Sequence, residues 1–311
     1  MSNTDIFYDM IIIGGGPAGY STALYAARAG LNAIVLEGSY TGGQLTLANQ
    51  IDNYPGLEGI DGSSLAHRMK QHAERFGAKS ENARVIGVKL SENPKAVETV
   101  SGALYGKTVV IATGAYPRKL GIDREEGLVG RGIHYCAVCD GMFYKGKTVV
   151  VVGGGNTAVT DALLLSRFAK KLILVHRKNT LRATKIYRDQ LAKTENVELR
   201  WNSTVKELVC EDKITGVRLI NAKGEESLVP CHGVFVSIGR KPATEFLGGQ
   251  LELDGEGYII ASENTKTSVE GVYAAGDVRT KPLRQVVTAV ADGSVAVQSA
   301  EEYLERQGGA I

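Results

Sequence analysis

Two stretches of the chain follow one grammar, in which an apolar run stops at a glycine cluster and gives way to helix formers. The first reads Met10-Ile11-Ile12-Ile13, then Gly14-Gly15-Gly16-Pro17-Ala18-Gly19, then Ser21 to Ala29, closed by Gly30. The second reads Thr148 to Val152, then Gly153-Gly154-Gly155-Asn156-Thr157-Ala158, then Val159 to Phe168. Strand, glycine turn and helix thus occur twice. One such motif is weak evidence, because glycine turns arise for packing alone, but two copies in one chain restrict the reading sharply.

In each copy the first glycine permits the tight turn and the second lets the backbone approach a pyrophosphate. The third position, Gly19 or Ala158, lets the helix sit close on the strand. Amide groups and the dipole at the helix start then hold phosphate oxygens. After the first unit comes the strand Ala33-Ile34-Val35-Leu36, ending at Glu37, where a ribose hydroxyl needs an acceptor about 20 residues beyond the motif. After the second comes Leu172 to Val175, followed by His176, Arg177 and Lys178, with Arg182 nearby and no acid in the equivalent place. An acid suits a nucleotide with a free 2′-hydroxyl, whereas cations suit a 2′-phosphate. The expected pair is FAD in the first unit and NADPH in the second. The plainer reading of the basic group is a solvated approach to a helix.

At 311 residues the chain has room for about two domains. Each unit ends in a further apolar strand broken by glycine, Thr108 to Gly114 and Val234 to Gly239, followed by a proline-basic stretch, Tyr116-Pro117-Arg118 or Arg240-Lys241-Pro242. These read as the interdomain links. The remainder, with Gly271 to Asp277 and a helix from about Gln285 to Gln307, is too small for a domain and is expected to complete the first. The fold class is therefore α/β, with two Rossmann-like domains binding FAD and NAD(P), three-layered, the NADPH domain inserted into the FAD domain. The boundaries are 1–117, 118–242 and 243–311.

Composition narrows the partners. Lys and Arg number 36 against 34 Asp and Glu, so there is no basic field to select nucleic acid or an anionic membrane. The apolar stretch at Met10 is too short for a signal core or a spanning helix, and a cytoplasmic protein is expected. Four cysteines do not make a disulfide scaffold at this length. Two of them form Cys136-Ala137-Val138-Cys139, which can be a redox dithiol, half of a zinc site or inert packing. Cys210 and Cys231 stand singly on apparent strands and supply no second pair of ligands, which favours redox chemistry with no metal. One thiol attacks a disulfide and the other resolves the mixed disulfide. Asp140 follows directly and can exchange a proton there, or it can simply cap a turn. His134 reads as a polar loop residue without an evident orienting partner.

With these motifs in place, the sequence resembles the low-molecular-weight thioredoxin reductases nearly end to end. The resemblance is carried by the two glycine motifs, Gly42-Gly43-Gln44-Leu45, Asn53-Tyr54-Pro55-Gly56, Ala112-Thr113-Gly114, Cys136 to Gly141, His176-Arg177-Lys178, Ala274 to Asp277 with Gly276, and Arg284-Gln285. It implies that Gln44, Asn53, Asp277, Arg284 and Gln285 help hold FAD. It further implies that Cys139 faces the flavin, Cys136 attacks the protein substrate, and Asp140 is the acid/base. Lys178 departs from the family, where many members carry a second arginine, and lysine lacks the bidentate phosphate contact. The resemblance implies a homodimer that reduces thioredoxin or a thioredoxin-like protein. A dithiol oxidase, or a reductase of another redoxin or a peroxiredoxin, is the alternative. Because dithiol and nicotinamide site share a domain, that domain is expected to swing on its links.

Overall fold

The structure, a computed structural model, describes residues 7–38, 41–48 and 50–308; the outermost ends of the expected first domain, 1–6 and 309–311, lie outside the described residues. The chain divides into two compact units, Met1–Tyr116 with Lys241–Ile311, and Pro117–Arg240. Among the described residues no helix is long and apolar enough to cross a membrane.

The first unit begins with β1 (Phe7–Ile13), α1 (Pro17–Arg28), β2 (Ala33–Glu37) and α2 (Gly62–Arg75). It continues with β3 (Lys79–Asn82), β4 (Val85–Lys89), β5 (Lys95–Thr99) and β6 (Gly102–Ile111). Strand β1 lies between β2 and β6, parallel to both, and β3 extends the sheet beyond β2. The other edge of β6 is shared: its first half pairs antiparallel with β5, and its last residues, Val109 to Ile111, pair parallel with a late strand at Val272–Ala274. Alternation along β1 serves two layers. Met10 and Ile12 join the helices in one core, while Ile11 and Ile13 join Leu247, Leu251 and Ile259 in the other. Each such side chain, removed from water, contributes about 1.5–3 kcal/mol, and strands covered on both faces must be apolar throughout.

The links are short strands, β7 (Ala115–Pro117) and, later, β16 (Arg240–Pro242). In the second unit β8 (Ile133–His134) precedes a one-turn helix, α3 (Ala137–Asp140), then β9 (Thr148–Val152), α4 (Asn156–Ser166), β10 (Lys171–Val175), α5 (Lys185–Ala192) and β11 (Val197–Arg200). Strands β12 (Ser203–Cys210), β13 (Ile214–Asn221) and β14 (Glu226–Pro230) form an antiparallel sheet, and β15 (Gly233–Val236) returns to the parallel one, ordered β11-β10-β9-β15-β8. Val149 and Val151 face helix α4, whereas Val150 and Val152 face the antiparallel sheet. The first unit resumes with β17 (Val272–Ala274) and α6 (Val286–Arg306). Helix α6 packs on α1 closely enough that Ser21 Oγ donates to Val290 O at 2.7 Å.

Candidate active site

In the first unit the glycine motif sits where β1 ends and α1 begins, at the carboxyl edge of the parallel strands, where open α/β sheets bind ligands. Gly14 has φ +115°, and a Cβ there would land on the Ala112 carbonyl. Gly19 lies so close beneath the turn that a Cβ would strike the Gly14 carbonyl. Gly16 is different: a Cβ would approach nothing nearer than the Gly42 oxygen at 4.0 Å. Pro17 opens the helix, a position where its missing N–H costs nothing, and no side chain caps the amides of the first turn. Open space above uncapped amides fits a pyrophosphate.

Neighbouring segments are tied to this loop. Gly42 N donates to Gly15 O at 2.9 Å, which holds the single-turn helix Gly43–Leu47 with Gln44 and the buried Leu45 beside it. Ala112 N donates to Ile13 O and Ala275 N to Ile111 O, so Ala112-Thr113-Gly114 and Gly276-Asp277 leave the sheet next to the same turn. Gly276 lies against Ala18. Arg284 crosses the Tyr258 ring at 4.0 Å and donates to the Asp277 and Arg279 carbonyls. Asn53 Nδ2 donates to Gln285 Oε1 at 3.0 Å.

Glu37 is buried at the end of β2, with Oε1 2.5 Å from Lys70 Nζ on α2. Burial raises its pKa, but hydrogen bonds from Lys70 and Thr41 outweigh that and hold the carboxyl below its ordinary value. Behind the site, Asp292 on α6 accepts from Arg279 Nε and Nη2, from Lys281 Nζ and from Gly276 N. This buried cluster pins the turn before Asp277, and sequence reading did not find it.

The second unit repeats the cradle. Gly155 has open space where a Cβ would stand, α4 starts at Asn156 without a side-chain cap, and Thr157 is exposed in its first turn. Ala158 is fully buried against Gly153. His176 is buried against Gly154 with Nε2 unpartnered. Its pKa is lowered, first by burial and then by the charges of Arg182, Arg177 and Lys178, all three of which are exposed. None of them carries an ion pair among the described residues. Arg182 N donates to Gly154 O at 2.7 Å, and Asn156 Oδ1 accepts from Thr184 N. Exposed cations without ion pairs among the described residues, in the same unit as a helix start without a side-chain cap, fit a phosphorylated ribose.

Cys136 and Cys139 are joined as a disulfide, and among the described residues no cluster of three or more His, Cys, Asp or Glu is arranged for a metal ion. Cys139 is exposed and Cys136 half-buried. Cys139 N donates to Cys136 Sγ at 3.2 Å, a contact that favours negative charge on that sulfur once reduced. Cys231 is buried, which pushes its thiol up to about 12; it lies just past β14 and not on a strand, whereas Cys210 ends β12.

His134 departs from expectation. It is no loop residue but a buried member of β8, and it has orienting partners: Nδ1 is 3.1 Å from Asp140 Oδ2, and Nε2 is 2.6 Å from the Tyr144 hydroxyl. The sequence hid this because the partners lie six and ten residues away, brought round by a helical turn that spacing alone does not announce.

Against known proteins, the family described as pyridine nucleotide-disulphide oxidoreductase matches residues 8–293. A thioredoxin reductase of Listeria monocytogenes is 43% identical over 307 residues, covering 98% of this chain and 96% of that protein. One from Bacillus subtilis is 43% identical over 300 residues, with 96% and 95% covered. The crystal structure of thioredoxin reductase from Streptococcus pyogenes superposes with a TM-score of 0.92 at 41% identity, covering 97% of this chain and all of that one.

Proposed function

The chain belongs to the pyridine nucleotide-disulphide oxidoreductase family and, within it, to the thioredoxin reductases; from that premise we propose that it uses NADPH and FAD to reduce Cys136–Cys139, and then passes the electrons to the disulfide of thioredoxin or a thioredoxin-like protein. The observation that carries this reading is the closed Cys136–Cys139 disulfide, open to solvent at Cys139, in a chain with two uncapped dinucleotide cradles.

When bound, the two nucleotides supply the two-electron transfer that the polypeptide cannot perform. Gly14, Gly16, Pro17, Ala18 and Gly19 would hold the FAD pyrophosphate, with Glu37 on its ribose. Gly43, Gln44, Leu45, Asn53, Ala112, Thr113, Gly114, Gly276, Asp277, Arg284 and Gln285 would line the rest. Gly153, Gly155, Asn156, Thr157 and Ala158 would hold the NADPH pyrophosphate, and His176, Arg177, Lys178 and Arg182 its 2′-phosphate. Cys136, whose sulfur already receives the Cys139 amide, is the nucleophile toward the partner disulfide; Cys139 resolves the mixed disulfide, and Asp140 exchanges the proton. A cytoplasmic homodimer belongs to the same reading, its reducing location supported by the unbonded Cys210 and Cys231.

The test is direct. Anaerobic NADPH should bleach a yellow protein, and turnover should need thioredoxin and barely proceed with oxygen alone. Cys136→Ser should keep the bleaching and abolish transfer to thioredoxin; thioredoxin reduction by that variant at the unsubstituted rate sinks the assignment.

A further inference from the structure

His134 is a buried titratable group beside the dithiol segment to which the reading above gives no task. Its ring stacks on Phe235 at 5.2 Å between centroids and meets Tyr144 edge-on at 5.1 Å. The two nitrogens face different groups, Asp140 Oδ2 at 3.1 Å and the Tyr144 hydroxyl at 2.6 Å. Burial, reinforced by Asp140 and Cys231, pushes the Tyr144 phenol up to about 12. Near neutrality that phenol is a hydroxyl, and it donates when its partner is a bare ring nitrogen. A carboxylate oxygen facing Nδ1 can only accept, so in the neutral imidazole the ring proton belongs on Nδ1 and Nε2 accepts from the Tyr144 hydroxyl.

We infer that His134 is a positioning residue for proton transfer at the dithiol: its Nδ1–H engages Asp140 Oδ2, leaves Oδ1 as the oxygen that carries the exchanged proton, and is itself fixed by Tyr144. The inference rests on the proposed acid/base role of Asp140. When the Cys136–Cys139 bond takes up an electron pair, two thiolates form. The Oδ1–H proton passes to one of them, leaving a thiol and the Asp140 carboxylate. In the outward direction a thiol returns its proton to Oδ1 as its sulfur attacks the external disulfide. His134 gains and loses no proton in either direction; its hydrogen bond strengthens each time the carboxylate becomes charged. The charged and titratable groups facing this array are Asp140 from α3, Tyr144 from the turn after it, Lys147 with Nζ 5.3 Å from the Tyr144 ring centre, and Cys231.

The experiment uses holoenzyme reduced with excess dithiothreitol and alkylated with iodoacetamide across a pH series, with label on Cys136 and Cys139 read by mass spectrometry. Bleaching by NADPH is followed in parallel. In His134→Phe, which keeps a ring against Phe235, the alkylation midpoint should rise by about one pH unit, the size of one charge-assisted hydrogen bond. Its kcat with thioredoxin should fall about tenfold at unchanged KM, while NADPH bleaching is unaffected. His134→Asn, whose amide N–H can stand where Nδ1–H stood, should restore most of both. Tyr144→Phe should move the midpoint the same way by less. An unmoved midpoint in His134→Phe, or an Asn variant no better than the Phe variant, overturns the inference. If His134→Phe does not fold, Tyr144→Phe decides by whether its midpoint rises. A parent protein that neither bleaches nor reduces thioredoxin defeats the functional reading instead, and the alkylation profile still judges His134 separately.

Discussion

Lys70 Nζ stands 2.5 Å from Glu37 Oε1 and joins helix α2 to the carboxyl end of β2. The pair gives a buried carboxylate its counter-charge beside the first glycine loop, and its strength is set by pH. Because the folded Glu37 carboxyl is held below its ordinary value, its stabilising contribution is complete above the unfolded pKa of about 4.3 and fades as pH falls through the lower folded value. Lys70→Met should cost about 2 kcal/mol near neutrality, seen as a lower Tm. The gap between variant and parent should close in acid. A gap that stays constant from neutral to strongly acid pH contradicts this account.

The glycines of the first loop separate folding from binding. A Cβ at Gly19 would collide with the Gly14 carbonyl, whereas at Gly16 it meets only open space, and Gly16 has φ −88°, which any residue tolerates. Gly19→Ala should therefore lower the stability of the flavin-free protein. Gly16→Val should leave that stability within about 0.5 kcal/mol and still strip most of the flavin, since the new side chain occupies the space assigned to phosphate. Thermal unfolding of the stripped proteins and flavin-to-protein ratios after reconstitution distinguish the two.

Arg177 and Lys178 are exposed and lack ion pairs among the described residues, so their removal should barely touch folding. Each charge-assisted hydrogen bond contributes about 1.5–3 kcal/mol, and the double alanine variant should raise KM for NADPH about 100-fold or more. KM for NADH should change little. Lys178→Arg should tighten NADPH further by supplying a forked donor. Steady-state kinetics with both nucleotides provide the check, and parallel losses for NADH and NADPH point away from a 2′-phosphate site.

Asp292 offers a different failure. Its carboxylate is buried among Arg279, Lys281 and the Gly276 amide. Burial raises its pKa, and the hydrogen bonds from Arg279 and Lys281 outweigh that to lower it. Asp292→Ala leaves two buried cations unpaired, which costs about 3–5 kcal/mol. Urea unfolding should show the loss, and flavin should dissociate more readily because the turn carrying Asp277 is no longer pinned.

What the sequence makes legible is what is local. The apolar runs and glycine turns place β2, β9 and β10 within a residue, β1 begins three residues before the apolar run at Met10, and the final helix expected from about Gln285 to Gln307 spans Val286–Arg306. Helix α1 starts earlier than the run of helix formers suggests, because Pro17 inside the glycine motif is itself a favoured first residue. The antiparallel hairpins β4–β5 and β12-β13-β14 join neighbouring segments, but their strands carry no glycine cluster or long apolar run, and bulges shift the register of β4–β5 and β12–β13. The Asp292 cluster and the partners of His134 come from separate elements whose meeting no local pattern announces. Asn53 and Gln285, 232 positions apart, are suggested together only by family resemblance; no spacing rule joins them.

Helix α6, at the end of the chain, completes the core against α1, at its beginning. During synthesis the first glycine loop therefore leaves the ribosome long before the helix that must cover it. The whole of Pro117–Arg240 is translated in between and has its own core to collapse around. The order of folding is thus expected to invert the order of synthesis: the inserted unit matures first, and the first glycine cradle is finished only when α6 docks on α1.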